Sequence, residues 1–294
     1  MAHSHVLLGA GANPARPKIR KIALADLKDV LRKGVDDFVA MPTHAIFLCA
    51  IYPVIGLLLA RIAFGYSILP LLYPLVTGFA LVGPLAALGL YELSRRREAG
   101  LGASASHALD VLQSSSIGAI VALGLLLLAV FVIWVAFANA IYIGNFGYAP
   151  PPSIAAFIDE VLTTRAGWTL IIVGNGVGFL FAVLVLMISV VSFPLLLDRD
   201  VGVAVALGTS VRAVIANPVT MAAWGVIVAA LLLIGSLPAF LGLTVVIPIL
   251  AHATWHLYRK VIEPGAGHAP KFRKLRKEQR SAADFPAVLF PWAK

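Results

Sequence analysis

Five uncharged stretches, at residues 38–60, 62–91, 111–158, 166–197 and 213–258, take up most of this 294-residue chain. A helix needs roughly 20 apolar residues to cross a bilayer, so each stretch has room for at least one crossing. With 60% of its residues hydrophobic and 13% charged, the chain departs far from soluble domains, in which about a quarter of residues are charged. Lipid must act as its solvent. The first, second and fourth stretches hold one span each. The fifth holds two, with Gly235-Ser236-Leu237-Pro238 as the turn between them. The third is read as one span, because Asn139, Gly144, Asn145, Gly147, Pro150, Pro151 and Pro152 fill its second half. Irregular backbone of that kind is not tolerated in lipid.

The expected fold is all-α: a polytopic membrane bundle of six transmembrane helices with amphipathic interfacial helices. The spans fall near 43–62, 68–92, 115–141, 167–193, 218–235 and 239–258. Three regions follow: a cytoplasmic leader at 1–42, a six-helix transmembrane domain at 43–262 and a basic aromatic cytoplasmic tail at 263–294. With the N-terminus inside, only Arg61 and Arg165 of the 23 lysines and arginines fall outside. That bias predicts a multi-pass protein of the bacterial inner membrane with both termini cytoplasmic. Five or seven spans would carry the basic tail outside.

The net charge of +9 does not point to nucleic acid. The cations cluster at the chain ends and between apolar runs, where anionic lipid headgroups lie. Cys49 is the single cysteine, which excludes an intramolecular disulfide and a cysteine-based metal cluster. The first 21 residues are polar and the first long apolar run starts after residue 40, so no cleavable signal peptide is expected.

Several segments read as lying on the membrane surface. Residues 22–39 place Leu24, Leu27, Leu31, Val35 and Phe38 on one helical face, with most charges off it. Amphipathic pieces at 101–114 and 201–216 precede the third and fifth spans. Their offset of 100 residues, with Gly102 matching Gly202, suggests a degenerate duplication of a span–elbow–span unit. Ile154, Phe157, Ile158, Val161 and Leu162 predict a short helix on the outer surface. In the tail, FRKLRKEQR (272–280) and FPAVLFPWAK (285–294) suit contact with lipid headgroups, docking to a cytoplasmic partner, or simple disorder.

Three stretches together resemble a family of uncharacterised proteobacterial integral membrane proteins, a domain-of-unknown-function family. They are RKGVDDFVAMP (32–42), YPLVTGFALVGPLAALGLYELSRRREAG (73–100), and LLLDRDVGVAVALGTSVRAVIANP (195–218) with GLTVVIPILAHATWHLYRKVI (242–262). The resemblance runs from about residue 30 to 262. It implies a six-helix membrane protein and supplies no activity. Some relatives carry a name borrowed from cytochrome c oxidase subunit I. Only His44, His252 and His256 lie in or at the ends of spans, too few to ligate two haems and a copper.

Few residues are candidates for chemistry. His252 and His256, at i and i+4, face one way near the inner end of span six, a spacing that suits a shared metal or haem edge. The alternative is an aromatic belt with Trp255, Tyr258 and the snorkelling Arg259. Glu92 pairs with Arg96 one turn on, and Asp198 and Arg199 end span four; with His256 and Arg259 these form one polar layer. That layer reads as structural salt bridging or as an ion gate. Asn175, in GNGVG (174–178), reads as a packing contact between close helices or as a break that binds substrate. Gly83-Pro84, Pro194 and Pro248 kink spans two, four and six, and Ser114, Ser115 and Ser116 cap span three.

No phosphate-cradling glycine loop, HExxH or Gly-x-Ser-x-Gly elbow occurs, and no cofactor is expected. No span carries a mid-depth charge, which counts against an ion-driven transporter. The favoured expectation is a non-enzymatic accessory, assembly or scaffolding component of a larger inner-membrane complex. The alternatives are a transporter or channel for a small or lipophilic solute, and a haem- or metal-binding membrane protein.

Overall fold

The structure, a computed structural model, describes residues 17–42, 69–79, 83–149 and 151–264. The expected first span, with His44, Cys49 and Arg61, lies outside the described residues. So do the first 16 residues and the tail from residue 265. The described elements are helices, with one isolated antiparallel bridge between Ile19 and Ile262. We label them α1 (Leu24–Ala40), α2 (Leu72–Phe79), α3 (Gly83–Ala86), α4 (Leu88–Glu98), α5 (Ile117–Phe146), α6 (Ile154–Thr163), α7 (Arg165–Ser189), α8 (Ser192–Asp198), α9 (Val203–Ala216), α10 (Pro218–Ser236) and α11 (Leu243–Val261). Short 3₁₀ helices occupy Leu69–Leu71 and Ala105–Gln113.

Among the described residues, three helical stretches are long and apolar enough to cross a membrane: Ile117–Phe146, Arg165–Asp198 and Pro218–Ser236. The first runs past its expected end at 141. Its 30 residues span about 45 Å at 1.5 Å each, beyond a hydrocarbon core of about 30 Å. The extra turns carry Gly144 and Asn145 in helix, because Asn145 Nδ2 donates to the Ile141 carbonyl at 2.7 Å and so needs no outside partner. Gly147, at φ +78°, then ends the regular helix.

The expected second span is not one helix. Among the described residues it opens with the 3₁₀ turn Leu69–Leu71 and is interrupted at Ala87, between α3 and α4; residues 80–82 lie outside the described set. Pro84 lies within α3. Span four also divides, at Val190 and Val191, between α7 and α8. Pro194 sits in the first turn of α8, so the interruption falls before the proline. Ser210 of α9 accepts the freed Val191 N–H at 3.2 Å. Pro248 lies inside α11 without breaking it.

The chain forms two compact units. In the second, which includes residues 125–185, Trp134 donates to the Pro74 carbonyl at 3.0 Å and stacks obliquely on Phe181. An added Cβ on Gly178 would lie 3.0 Å from Trp134, so this glycine does admit a close helix approach. Gly174 and Gly176 face open space, so the expectation of close approach holds for one of the three. The expected 154–162 helix is present as α6, its first turn capped by Ser153, whose Oγ accepts from Ala156 N at 3.1 Å.

The first unit holds residues 84–124, those from 186 onward and the described N-terminal segment. Here α1 crosses α11 with Gly34 against Ala253. A Cβ on Gly34 would come within 2.7 Å of the Ala253 Cβ. The row of α1 buried on protein is Leu27, Val30, Gly34 and Asp37, beside the apolar face read from sequence as interfacial. Of that face only Leu27 is buried, whereas Leu24 and Val35 are exposed. The turn between α10 and α11 is also shifted. Gly235 and Ser236 stay helical and the turn occupies residues 237–242, so α11 starts at Leu243. The connectors 101–114 and 201–216 differ in kind, one holding a 3₁₀ helix and the other α9, so their expected equivalence does not extend to local structure.

Candidate functional site

Several of the described ionisable groups of the first unit gather where α1, α4 and α11 meet. α1 brings Asp37, 3% exposed, to the contact. α4 brings Ser94 and Arg97, and α11 brings His252 and His256 on one face. Asp37 accepts from Ser94 Oγ at 2.6 Å and from His256 Nε2 at 2.9 Å, and Arg97 pairs with its other oxygen. Ser94 Oγ also lies 2.7 Å from His252 Nδ1.

Proton counting fixes the direction of these bonds. An ionised carboxylate only accepts, and a serine hydroxyl has one proton. That proton goes to Asp37, so the His252 Nδ1–H donates to Ser94. His252 Nε2, in a fully buried ring, has no hydrogen-bond partner among the described residues. Burial pushes the Asp37 carboxyl up, but the hydrogen bonds from His256 and Ser94 outweigh it and hold the group down at about 2. The order Asp–Ser–His places the serine in the middle and out of solvent. A hydrolytic triad instead places the histidine between a carboxylate and an accessible serine. The cluster is built to hold three helices together.

Around it lies a wider polar layer. Glu98 accepts from Trp255 Nε1 at 2.9 Å and Arg259 Nε at 3.0 Å. Asp198 accepts from Tyr258 at 2.5 Å and faces Arg259 and Arg199 at 3.6 and 3.5 Å. Arg199 donates to the Glu263 carbonyl. Lys260 reaches Asp26 and Asp29 on α1 at 3.0 and 3.1 Å. Its hydrogen bond is the leading cause that holds Asp29 at about 2. An open cleft of about 430 Å³ is lined by Lys33, Asp36, Asp37, Arg97, Glu98 and His256.

The structure brings together most of the residues singled out from sequence: His252, His256, Asp198, Arg199, Trp255 and Arg259. It corrects two of their roles. Glu92, fully buried, pairs with Arg95 through two 2.7 Å bonds instead of with Arg96. Arg96 turns the other way, to the Gly102 carbonyl at 2.8 Å and Asp110 at 3.5 Å. Trp255 and Tyr258 are each 1% exposed and stack on one another, so they are core residues and not a lipid-facing belt. Asn175, in the second unit, has its amide spent: Nδ2 donates to Ile171 O at 2.8 Å and Oδ1 accepts from Tyr73 at 2.7 Å. Among the described residues no group of three or more His, Cys, Asp or Glu side chains could hold a metal ion. The inward nitrogens of His252 and His256 are used on Ser94 and Asp37.

Asp37, Ser94, Arg97 and Glu98 were not singled out from sequence. Asp37 had a readable signal: it follows Leu27, Val30 and Gly34 at helical spacing, on a row that carries no other charge. Ser94 had none. The same holds for Asn217, whose side chain accepts from Ile22 N at 2.8 Å and donates to Arg20 O at 3.1 Å.

Residues 71–198 match the model of a family described as "Predicted integral membrane protein (DUF2189)". Over that segment the expected resemblance to an uncharacterised membrane family is borne out, and the chain is an integral membrane protein. The matched residues carry Glu92, Ser94, Arg97 and Asp198; Asp37, His252 and His256 lie beyond them. No curated protein and no solved structure is matched.

Proposed function

We propose that this integral membrane protein does no chemistry of its own and serves as an accessory, assembly or scaffolding component of a larger inner-membrane complex. The observation that carries this reading is the closure of the polar layer. Its carboxylates Asp37, Glu92, Glu98 and Asp198 are each committed to cations or donors of the same unit. The long helices α5 and α10 carry no charge at all, and α7 only its first residue, Arg165. An ionisable group at depth is the usual mark of an ion-coupled pathway; a rigid support needs none. Gentle solubilisation from the native membrane should bring a partner complex along with the full chain. Recovery as a lone small oligomer would count against this reading.

The same contacts support six crossings with both termini cytoplasmic. Asp37 binds Ser94, Ser115 Oγ donates to Asp200 at 3.1 Å, and Arg20 meets both Asn217 and Val261. The first two bonds each bracket one predicted pair of spans, and Asn217 and Val261, both bound to Arg20, bracket the third, so each pair returns to the side it left. The regions 1–42, 43–262 and 263–294 then read as leader, membrane domain and tail, with anionic headgroups beside the basic ends.

A transporter or channel is the second reading, favoured by the interruption between α7 and α8 at Val190 and Val191. Pro194→Ala should then alter flux in reconstituted liposomes. Unchanged uptake across a broad solute panel would remove this reading. Haem or metal binding would use His252 Nε2, which has no hydrogen-bond partner among the described residues, and would require His256 Nε2 to leave Asp37. A colourless, metal-free purified protein ends that possibility.

A further inference from the structure

α1 carries three stripes. Its buried row lies on α11, and its charged stripe holds Lys28, Asp29, Arg32, Lys33 and Asp36. Between them runs an apolar row that no described residue covers: Leu24 is 54%, Val35 41% and Val39 53% exposed, with Leu31 and Phe38 half-buried. The 3₁₀ helix Ala105–Gln113 repeats the pattern at its own period of three. Ala105, Ala108 and Val111 are buried, while Leu109 and Leu112 are 61% and 65% exposed. Both segments adjoin ends of apolar runs. α1 leads directly into the uncharged stretch that starts at residue 38, and Ala105–Gln113 leads into α5 at Ile117. Both belong to the unit whose helix ends the polar layer ties together.

We infer that α1 and Ala105–Gln113 lie in one leaflet of the bilayer, with Leu24, Val35, Val39, Leu109 and Leu112 in contact with acyl chains. The partner of this surface is the lipid monolayer. Lys28 and Arg32 border the apolar row of α1, where an amphipathic helix in the headgroup plane holds its snorkelling cations. Rigid anchorage is the consequence. α1 cannot roll to hide the apolar row, because Gly34 on Ala253 and Asp37 on His256 fix its rotation. The inference rests on the membrane reading above but does not depend on which side of the membrane these segments occupy.

Nitroxide labels report the depth directly. Val35→Cys, Leu109→Cys and Leu112→Cys, each in a Cys49→Ser background, are placed in the full chain in vesicles of phosphatidylethanolamine and phosphatidylglycerol. Dissolved oxygen should relax these labels severalfold more than a water-soluble nickel chelate does. A label at Asp36→Cys should show the reverse order. As a check on the unaltered protein, a phospholipid with a photoactivatable acyl chain should label both segments. Nickel access at Val35 and Leu112 equal to that at Asp36 would overturn the inference, as would exclusion of both probes, which would mark a protein-covered surface. Topology reporters separately fix the side, so a wrong orientation and a wrong depth are told apart.

Discussion

The Asp37 carboxylate accepts a hydrogen bond from His256 Nε2 at 2.9 Å, across 219 positions of the chain. One buried acid on α1 thereby fixes that helix to α11, and through Ser94 and Arg97 to α4 as well.

Asp37→Ala should therefore destabilise the protein strongly. Removing one partner of a buried, hydrogen-bonded charge cluster costs about 3–5 kcal/mol, and Arg97 and His256 would lose their shared acceptor. Thermal unfolding in detergent should show a large drop in Tm. A Tm within a degree or two of the parent would mean that Asp37 does not hold the layer together.

Acid should weaken the same contact. Asp37 sits at about 2 in the folded protein against an ordinary 3.8. A depressed carboxylate contributes stability that is complete above its unfolded value and is lost as pH falls through the folded one. Tm should decline between about pH 4 and pH 2, and Asp37→Asn should decline less over that window. Asp29, also at about 2, leaves a residual slope in the variant. Equal slopes for the two proteins would contradict the assignment.

Gly34→Ala and Gly174→Ala should differ in sign. An alanine at 34 meets Ala253 Cβ at 2.7 Å and the Ile249 carbonyl at 2.8 Å, whereas one at 174 meets nothing within 4 Å. Overpacking costs roughly 1–3 kcal/mol, while replacing a helical glycine in open space gains up to about 1 kcal/mol. Parallel melts of the two variants check this, and loss of stability at both positions would refute it.

Asn217→Ala should release the extended segment before α1. Asn217 closes on Ile22 N and Arg20 O, and Thr220 adds a bond to Ile22 O at 3.0 Å. Proteolysis near Lys21 should speed up at least severalfold while the helices stay folded. An unchanged cleavage rate would show that the Ile19–Ile262 bridge suffices alone.

The helices were legible wherever hydrophobicity alone decides. α5, α7 and α10 lie close to the expected spans, because a long uncharged run has no other stable solution in lipid. Interruptions were less legible. The division of α7 from α8 depends on Ser210, from a different helix, accepting the freed Val191 N–H. No pattern local to 189–192 carries that information. The row of α1 that packs on protein was not legible, although it neighbours the apolar row read as interfacial. A small residue, Gly34, marks the protein-facing side, and a scale that rewards Leu and Val picks the other. The polar layer was half legible: the charges at helix ends were visible, but their pairings required the fold.

Fusion reporters test the central claim of paired crossings most directly. A reporter active only in the cytoplasm should work when joined after Lys294 or near Gly100, and be silent near Pro151. A periplasm-dependent reporter should give the opposite pattern. Transferring the arginines at 95–97 or the basic tail across the bilayer opposes both the insertion bias and the low dielectric. Cytoplasmic activity at Gly100 and Lys294 together, with none at Pro151, is the predicted result. Periplasmic activity at Lys294 would mean an odd number of crossings and would contradict the account.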